Sequence, residues 1–214
     1  MHSDTERFTA VVAAQPTHPC PPAGRSAAGH VPGGTFGAGR YRLLHCCGGT
    51  PAMEFWHGRD VVTGHDVGLT VLDGHVRGLV DVDEVFARTV WMFGVHSPAL
   101  ARIVDMVDTG AGGVVVAEWQ SSCSLAAAAS VLSSRSEAAR AARPLTEAMR
   151  VAHRAGDVLG LETPDRLRIG ARGELYLAFP GALPSADRFA DVRGLAAALR
   201  GLVTGGGGVT APVW

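Results

Sequence analysis

Ala152-His153-Arg154-Ala155-Gly156, followed by Leu159-Gly160-Leu161-Glu162-Thr163-Pro164-Asp165-Arg166, is the stretch on which the fold of this chain turns. It joins a predicted helix over 137–155 to a predicted short strand pair over 167–169 and 175–179. Downstream, 191–203 reads as a helix, and upstream so does 125–132. Before those helices the character changes. Residues 41–47, 54–56, 67–72, 102–107 and 114–118 are short, β-branched or apolar runs separated by Gly and Asp, which predicts five strands. One helix interrupts them over 81–95, where Val82, Val85, Phe86, Val90 and Phe93 recur at three- and four-residue steps in a stripe that also holds Thr89. Five strands with one inserted helix, then helix, helix, hairpin and helix, is an α+β layout with two lobes.

The chain has 214 residues, 47% of them apolar and 18% charged, enough to bury a core and too few charges for a disordered chain. Its formal net charge of −1 draws it neither to nucleic acid nor to anionic lipid. All 19 basic residues are Arg, and the chain has neither Lys nor Asn. That excludes a P-loop Lys, a Schiff-base Lys and N-glycosylation. Cys20, Cys46, Cys47 and Cys123 lack CxxC spacing and fit neither a disulfide scaffold nor a zinc site. Nine histidines invite a metal reading, yet only His45 lies beside cysteines. No metal or other cofactor is expected. With no apolar run near the roughly 18 residues of a membrane span and no signal-peptide layout, the chain reads as cytoplasmic, with no transmembrane segment.

Residues 1–39 are more than half Pro, Gly, Ala and Ser without periodicity, and are expected to form a disordered tail. Gly34, Gly37 and Gly39 precede a strand instead of following one, so they are no dinucleotide fingerprint. The four-glycine run from Gly205 to Gly208 predicts that 205–214 is a second flexible tail.

The spellings along the remaining stretch resemble a bacterial Ser/Thr protein kinase. Arg40-Tyr41-Arg42-Leu43 is similar to the opening strand, and Gly64 to Thr70 to the third strand. Val116-Ala117-Glu118-Trp119 resembles the hinge, Ala152 to Gly156 the approach to the catalytic loop, and Asp191-Val192-Arg193-Gly194-Leu195 the helix at the centre of the second lobe. The resemblance implies a two-lobed protein kinase-like fold, with a five-stranded N-lobe over 40–119 and a truncated helical C-lobe over 120–204.

It also implies where phosphoryl-transfer chemistry would sit, because a kinase needs a strand Lys held by a helix Glu, an Asp base, and an Asp and an Asn on magnesium. None of these groups is at its matching position. The Lys falls on Thr70, the Glu on Thr89, the base on Leu161, the Asn on Arg166 and the second metal ligand on Phe179. In the glycine-rich loop Gly48 survives, while the other two glycines correspond to Thr50 and Met53. Asp191, which in the family holds the backbone of the catalytic loop, is retained. An ordinary helix N-cap is its other reading. Scaffold residues kept and chemical residues lost imply a pseudokinase, with no enzyme activity expected.

The resemblance is nearest to the intracellular pseudokinase domains attached to the MviN-type lipid II flippases of mycobacteria and other actinobacteria. It implies a docking module in the control of peptidoglycan synthesis. In that system an upstream Ser/Thr kinase phosphorylates a Thr and a forkhead-associated domain binds it. Thr204 and Thr210, flanking the glycine run, are the candidate phosphosites, and Thr5, Thr9 and Thr17 serve equally well. Two other functions stay open at this point. One is a metal-independent nucleotide sensor using Gly48, Glu118, Trp119 and Arg166. The other is a kinase with unconventional chemistry. Finally, Arg140, Arg143, Glu147, Arg150 and Arg154 share one helix face opposite Ala141, Leu145, Ala148 and Ala152. That face is either solvated or a patch for a phosphorylated or acidic partner.

Overall fold

A computed structural model describes residues 30–73, 81–130 and 134–204. The first sheet has six strands: β1 (Thr35–Phe36), β2 (Tyr41–Gly49), β3 (Met53–Asp60), β4 (Asp66–Asp73), β5 (Ile103–Asp108) and β6 (Gly112–Glu118). Their spatial order is β1-β2-β3-β4-β6-β5, with every neighbouring pair antiparallel. Helix α1 (Val82–Thr89) and a 3-10 turn (Val90–Gly94) lie between β4 and β5. After β6 come β7 (Ser122–Ser124), α2 (Leu125–Ala129), α3 (Arg135–Ala155), a 3-10 turn (Pro164–Arg166), β8 (Leu167–Gly170), β9 (Leu175–Leu177) and α4 (Arg188–Thr204).

The sixth strand corrects the expected five. Thr35–Phe36 pairs with Tyr41 and Arg42, so ordered chain begins inside the segment assigned to the tail. Two of the glycines there help make the turn. Gly37, Ala38 and Gly39 all have positive φ, which lets β1 fold back onto β2. A second difference is small. β7 adds to the hairpin of β8 and β9, giving a three-stranded sheet.

The period of two along each strand divides the first sheet into two apolar faces. Leu69 and Val71 point with Tyr41, Leu43, Trp56, Val114 and Val116 into one cluster. Leu72 points the other way, toward Phe55, Val85, Tyr176 and Phe179, and so lines the junction with the rest of the chain. The helical half packs around α3, whose Ala138, Ala141, Leu145, Met149 and Ala152 meet Leu161, Ile169, Leu177, Leu195 and Leu202. A capping box of Ser134 and Glu137 starts α3, and Gly156 in the left-handed region ends it.

The helix expected over 81–95 tightens to 3-10 geometry after Thr89. The stripe therefore rotates, and Val90 and Phe93 are partly exposed where burial was expected, while Met92 is buried. Cys46 is disulfide-bonded, whereas Cys47 and Cys123 are free thiols. Among the described residues no helix is long and apolar enough to cross a membrane.

Candidate functional site

Thr70 lies in mid-strand β4 on the face turned toward the helical half and is fully buried, its Oγ1 without a hydrogen-bond partner. Thr89 sits in the last turn of α1. Its hydroxyl donates to the Val85 carbonyl at 2.6 Å and accepts the Ala182 N–H at 2.9 Å. One threonine thus ties the inserted helix to the segment after β9. A Cβ placed on Gly181 would lie 3.4 Å from Thr70 Cγ2 and 3.8 Å from Arg166 Nη2. Thr70, Thr89 and Arg166 therefore gather around residues 179–182.

Arg166 closes the 3-10 turn before β8 and is fully buried. Its Nε donates to the Phe179 carbonyl at 2.8 Å and its Nη1 to the Gly160 carbonyl, while its own carbonyl accepts the Ala178 N–H at 2.9 Å. The guanidinium is a strut between the 159–163 loop and the segment after β9. Nη2 has no partner. Burial pushes its pKa down, and the negative charges of Glu162 and Asp191 push the other way. Both Glu162 carboxylate oxygens are buried without a hydrogen-bond partner.

Asp191 does what the retained residue was expected to do. Fully buried, it accepts the Leu159 N–H at 2.8 Å and His153 Nε2–H at 2.8 Å on Oδ2, and the Leu161 N–H at 2.9 Å on Oδ1. The alternative N-cap reading fails, because Asp187 caps α4 by accepting the Ala190 N–H at 2.6 Å. Leu161, which the sequence resemblance assigned to the base, is fully buried in the helical core.

Phe179, which the sequence resemblance assigned to the second metal ligand, is also fully buried. Its ring stacks on Phe55 with centroids 5.4 Å apart and meets Trp119 at 6.0 Å. Trp119 in turn stacks on His57 at 4.3 Å and lies under the Arg168 guanidinium at 5.1 Å. Arg168 is fixed by the Ser122 hydroxyl at 2.9 Å and the Ser122 carbonyl at 3.0 Å. Tyr176 donates to the same hydroxyl at 2.9 Å, and burial pushes its phenol up to about 12. Burial likewise pulls the His57 imidazole down. Sequence reasoning missed His57 and Arg168. A polar residue alternating along a strand reads as solvent-facing, and nothing local says that Arg168 stacks over Trp119.

The hinge-like residues are internally engaged. The Glu118 N–H donates to the Arg102 carbonyl at 2.8 Å and the Trp119 N–H to the Asp66 carbonyl at 3.4 Å, while the exposed Glu118 carboxylate pairs with Arg102. The loop after Gly48 is a tight turn, in which Thr50 Oγ1 accepts the N–H groups of Ala52 and Met53 at 3.2 and 3.1 Å. Gly48 lies against Asp165: a Cβ there would fall 2.4 Å from Oδ2. Desolvation pushes the Asp165 carboxyl up, opposed by the Gly49 backbone N–H. Thr204, the last residue of α4, is exposed and donates to the Arg200 carbonyl at 2.9 Å. Thr210, Thr5, Thr9 and Thr17 lie outside the described residues.

The arrangement of sheet, inserted helix, hinge and Asp191-held loop is a protein kinase-like fold. Among solved structures the chain is similar to the kinase domain of Mycobacterium tuberculosis PknI, with a TM-score of 0.62, 15% identity, and coverage of 86% of this chain and 81% of that one. No protein-family model matches the chain. A kinase fold implies a magnesium nucleotide, and the donors here do not fit one. The positions assigned to the metal offer a buried guanidinium and Phe179, neither of which supplies the oxygen ligands magnesium takes.

Proposed function

We propose that this chain is a catalytically inactive, two-lobed pseudokinase domain that serves as a cytoplasmic docking and signalling module in the regulation of peptidoglycan synthesis. An upstream Ser/Thr kinase phosphorylates it on threonine, and a forkhead-associated domain then binds. The observation that carries the reading is Arg166. A guanidinium bonded to the Phe179 and Gly160 carbonyls puts positive charge where phosphoryl transfer needs a divalent cation. The family resemblance supplies the partners, and Thr204, exposed at the end of α4, is the described phosphosite candidate.

Labelled ATP with magnesium or manganese tests inactivity: incorporation is expected to equal that of Thr70 and Arg166 variants, and excess incorporation overturns the reading. Pull-down by forkhead-associated domains, before and after treatment with an active Ser/Thr kinase, tests docking; capture only after treatment is expected. A nucleotide at 100 times its dissociation constant would add about 2.7 kcal/mol of stability. A thermal shift of that size with ATP and a chelator would favour a metal-independent sensor instead.

A further inference from the structure

A groove of about 540 Å³ opens between the end of α3 and the start of α4, lined by Thr146, Met149, Arg150, His153, Arg154 and Arg188. Steps of three and four residues set Arg150, His153 and Arg154 on one side of α3, and α4 brings Arg188 to them. We propose that this groove is a receptor site for a phosphorylated peptide segment, gripped by Arg150, Arg154 and Arg188.

The charge is unbalanced in that direction. Glu147 binds Arg150 through Nε at 2.9 Å, and Arg154 and Arg188 form no ion pair or hydrogen bond among the described residues. The nearby carboxylates are committed elsewhere. Asp191 is fully buried behind His153 and turned to the Leu159 and Leu161 N–H groups, and Asp187 is turned to Ala190. Glu147 also attracts Arg154 from a distance, which leaves three guanidiniums facing one carboxylate, and a phosphomonoester carries about −1.5 to −2. Arg188 also stands in the first turn of α4, where a cation opposes the helix dipole, so helix stability does not account for it.

The surroundings fit a peptide. His153 Nε2 is anchored on Asp191 at 2.8 Å, which fixes the ring at the groove wall, and the buried Met149 gives an apolar floor for a neighbouring side chain. The Thr146 hydroxyl is turned back to the Ala142 carbonyl at 2.9 Å and does not compete for the anion. A chain with net charge −1 and three arginines at one groove suits a single dianionic group better than a nucleic acid backbone. Forked guanidiniums bind such a group through paired hydrogen bonds. The site is separate from the degenerate cleft, so it stands whether or not that cleft binds nucleotide. It also differs in direction from phosphorylation of the chain itself, since here the domain is the reader.

The test uses the whole chain and fluorescence polarisation with a peptide library of fixed phosphothreonine and degenerate flanks, beside the same library unphosphorylated. Phosphate-dependent binding is expected, weakened at least about tenfold in Arg154→Gln/Arg188→Gln and unchanged in Arg42→Gln on the first sheet, with far-UV circular dichroism the same in all three. The proposal is overturned by equal binding of both libraries, by no binding at millimolar peptide, or by full binding in the double variant. It is also overturned if anionic-lipid vesicles or random-sequence DNA bind as well and lose affinity in the same variant, which would mark a general polyanion patch.

Discussion

The Asp191 carboxylate on α4 holds the Leu161 N–H at 2.9 Å, although the two residues are 30 positions apart. The same carboxylate takes Leu159 and His153, so the loop carrying the base position is hung from the centre of the helical half by one side chain. Asp191→Ala leaves two backbone N–H groups buried without acceptors and is expected to cost at least about 3 kcal/mol. Asp191→Asn keeps one acceptor and is expected to lose about 1–3 kcal/mol. Urea denaturation measures both, and an Asn variant as stable as the parent would contradict the arrangement.

Gly194 stands one helical turn from Asp191, and a Cβ there would fall 1.9 Å from the Leu161 carbonyl oxygen. Gly194→Ala must push α4 and the loop apart, at about 3 kcal/mol. Gly201, in the same helix, has open space around its Cβ position. Gly201→Ala is expected to stabilise by about 0.5–1 kcal/mol, through helix propensity and a less flexible unfolded chain. Paired melting curves check the opposite signs.

The two threonines that stand for a charged pair differ in what their hydroxyls do. Thr89 accepts the buried Ala182 N–H, so Thr89→Val orphans that donor at about 1–3 kcal/mol. Thr70 Oγ1 has no partner, so Thr70→Val removes a buried, unsatisfied hydroxyl and is expected to be neutral or stabilising. Chemical denaturation of both variants reads the difference, and equal losses would contradict it.

His30 Nδ1 lies 2.9 Å from Glu54 Oε2, and that hydrogen bond raises the imidazole pKa against the opposing effect of burial. A raised folded-state value means that protonation stabilises the fold. The contribution is complete below the unfolded value of about 6.5 and is lost as pH rises through the higher folded one. The parent is therefore expected to lead His30→Gln in urea midpoint at pH 5.5, with the gap narrowing by pH 8.5. A gap that widens toward alkaline pH would contradict the pairing.

Much of the fold was legible because its signals are local. Strand and helix periods placed β2 to β6, α1, α3 and the hairpin, and the spellings around Asp191 and Arg166 singled out residues that lie at one junction. Thr35–Phe36 escaped because two residues carry no period and Gly and Pro around them read as tail. Val90 and Phe93 were placed inside because the pattern assumed 3.6 residues per turn through a segment that tightens. Arg168 gave no signal, since its burial depends on Ser122 and Trp119, 46 and 49 positions away.

The amino-acid order alone determined which groups this chain could bring to a kinase-like junction: no Lys, no Asn, and Thr, Leu, Arg and Phe at the positions where charge and metal ligands belong. Tertiary packing decided what those residues do instead, because hydrogen bonds and ring contacts form only between atoms the fold brings together. Arg166 became a strut between two carbonyls, Phe179 part of an aromatic stack, and Arg188 the far side of a groove whose other arginines sit on a different helix. Side-chain identity is local, whereas burial and partnership depend on distance in three dimensions.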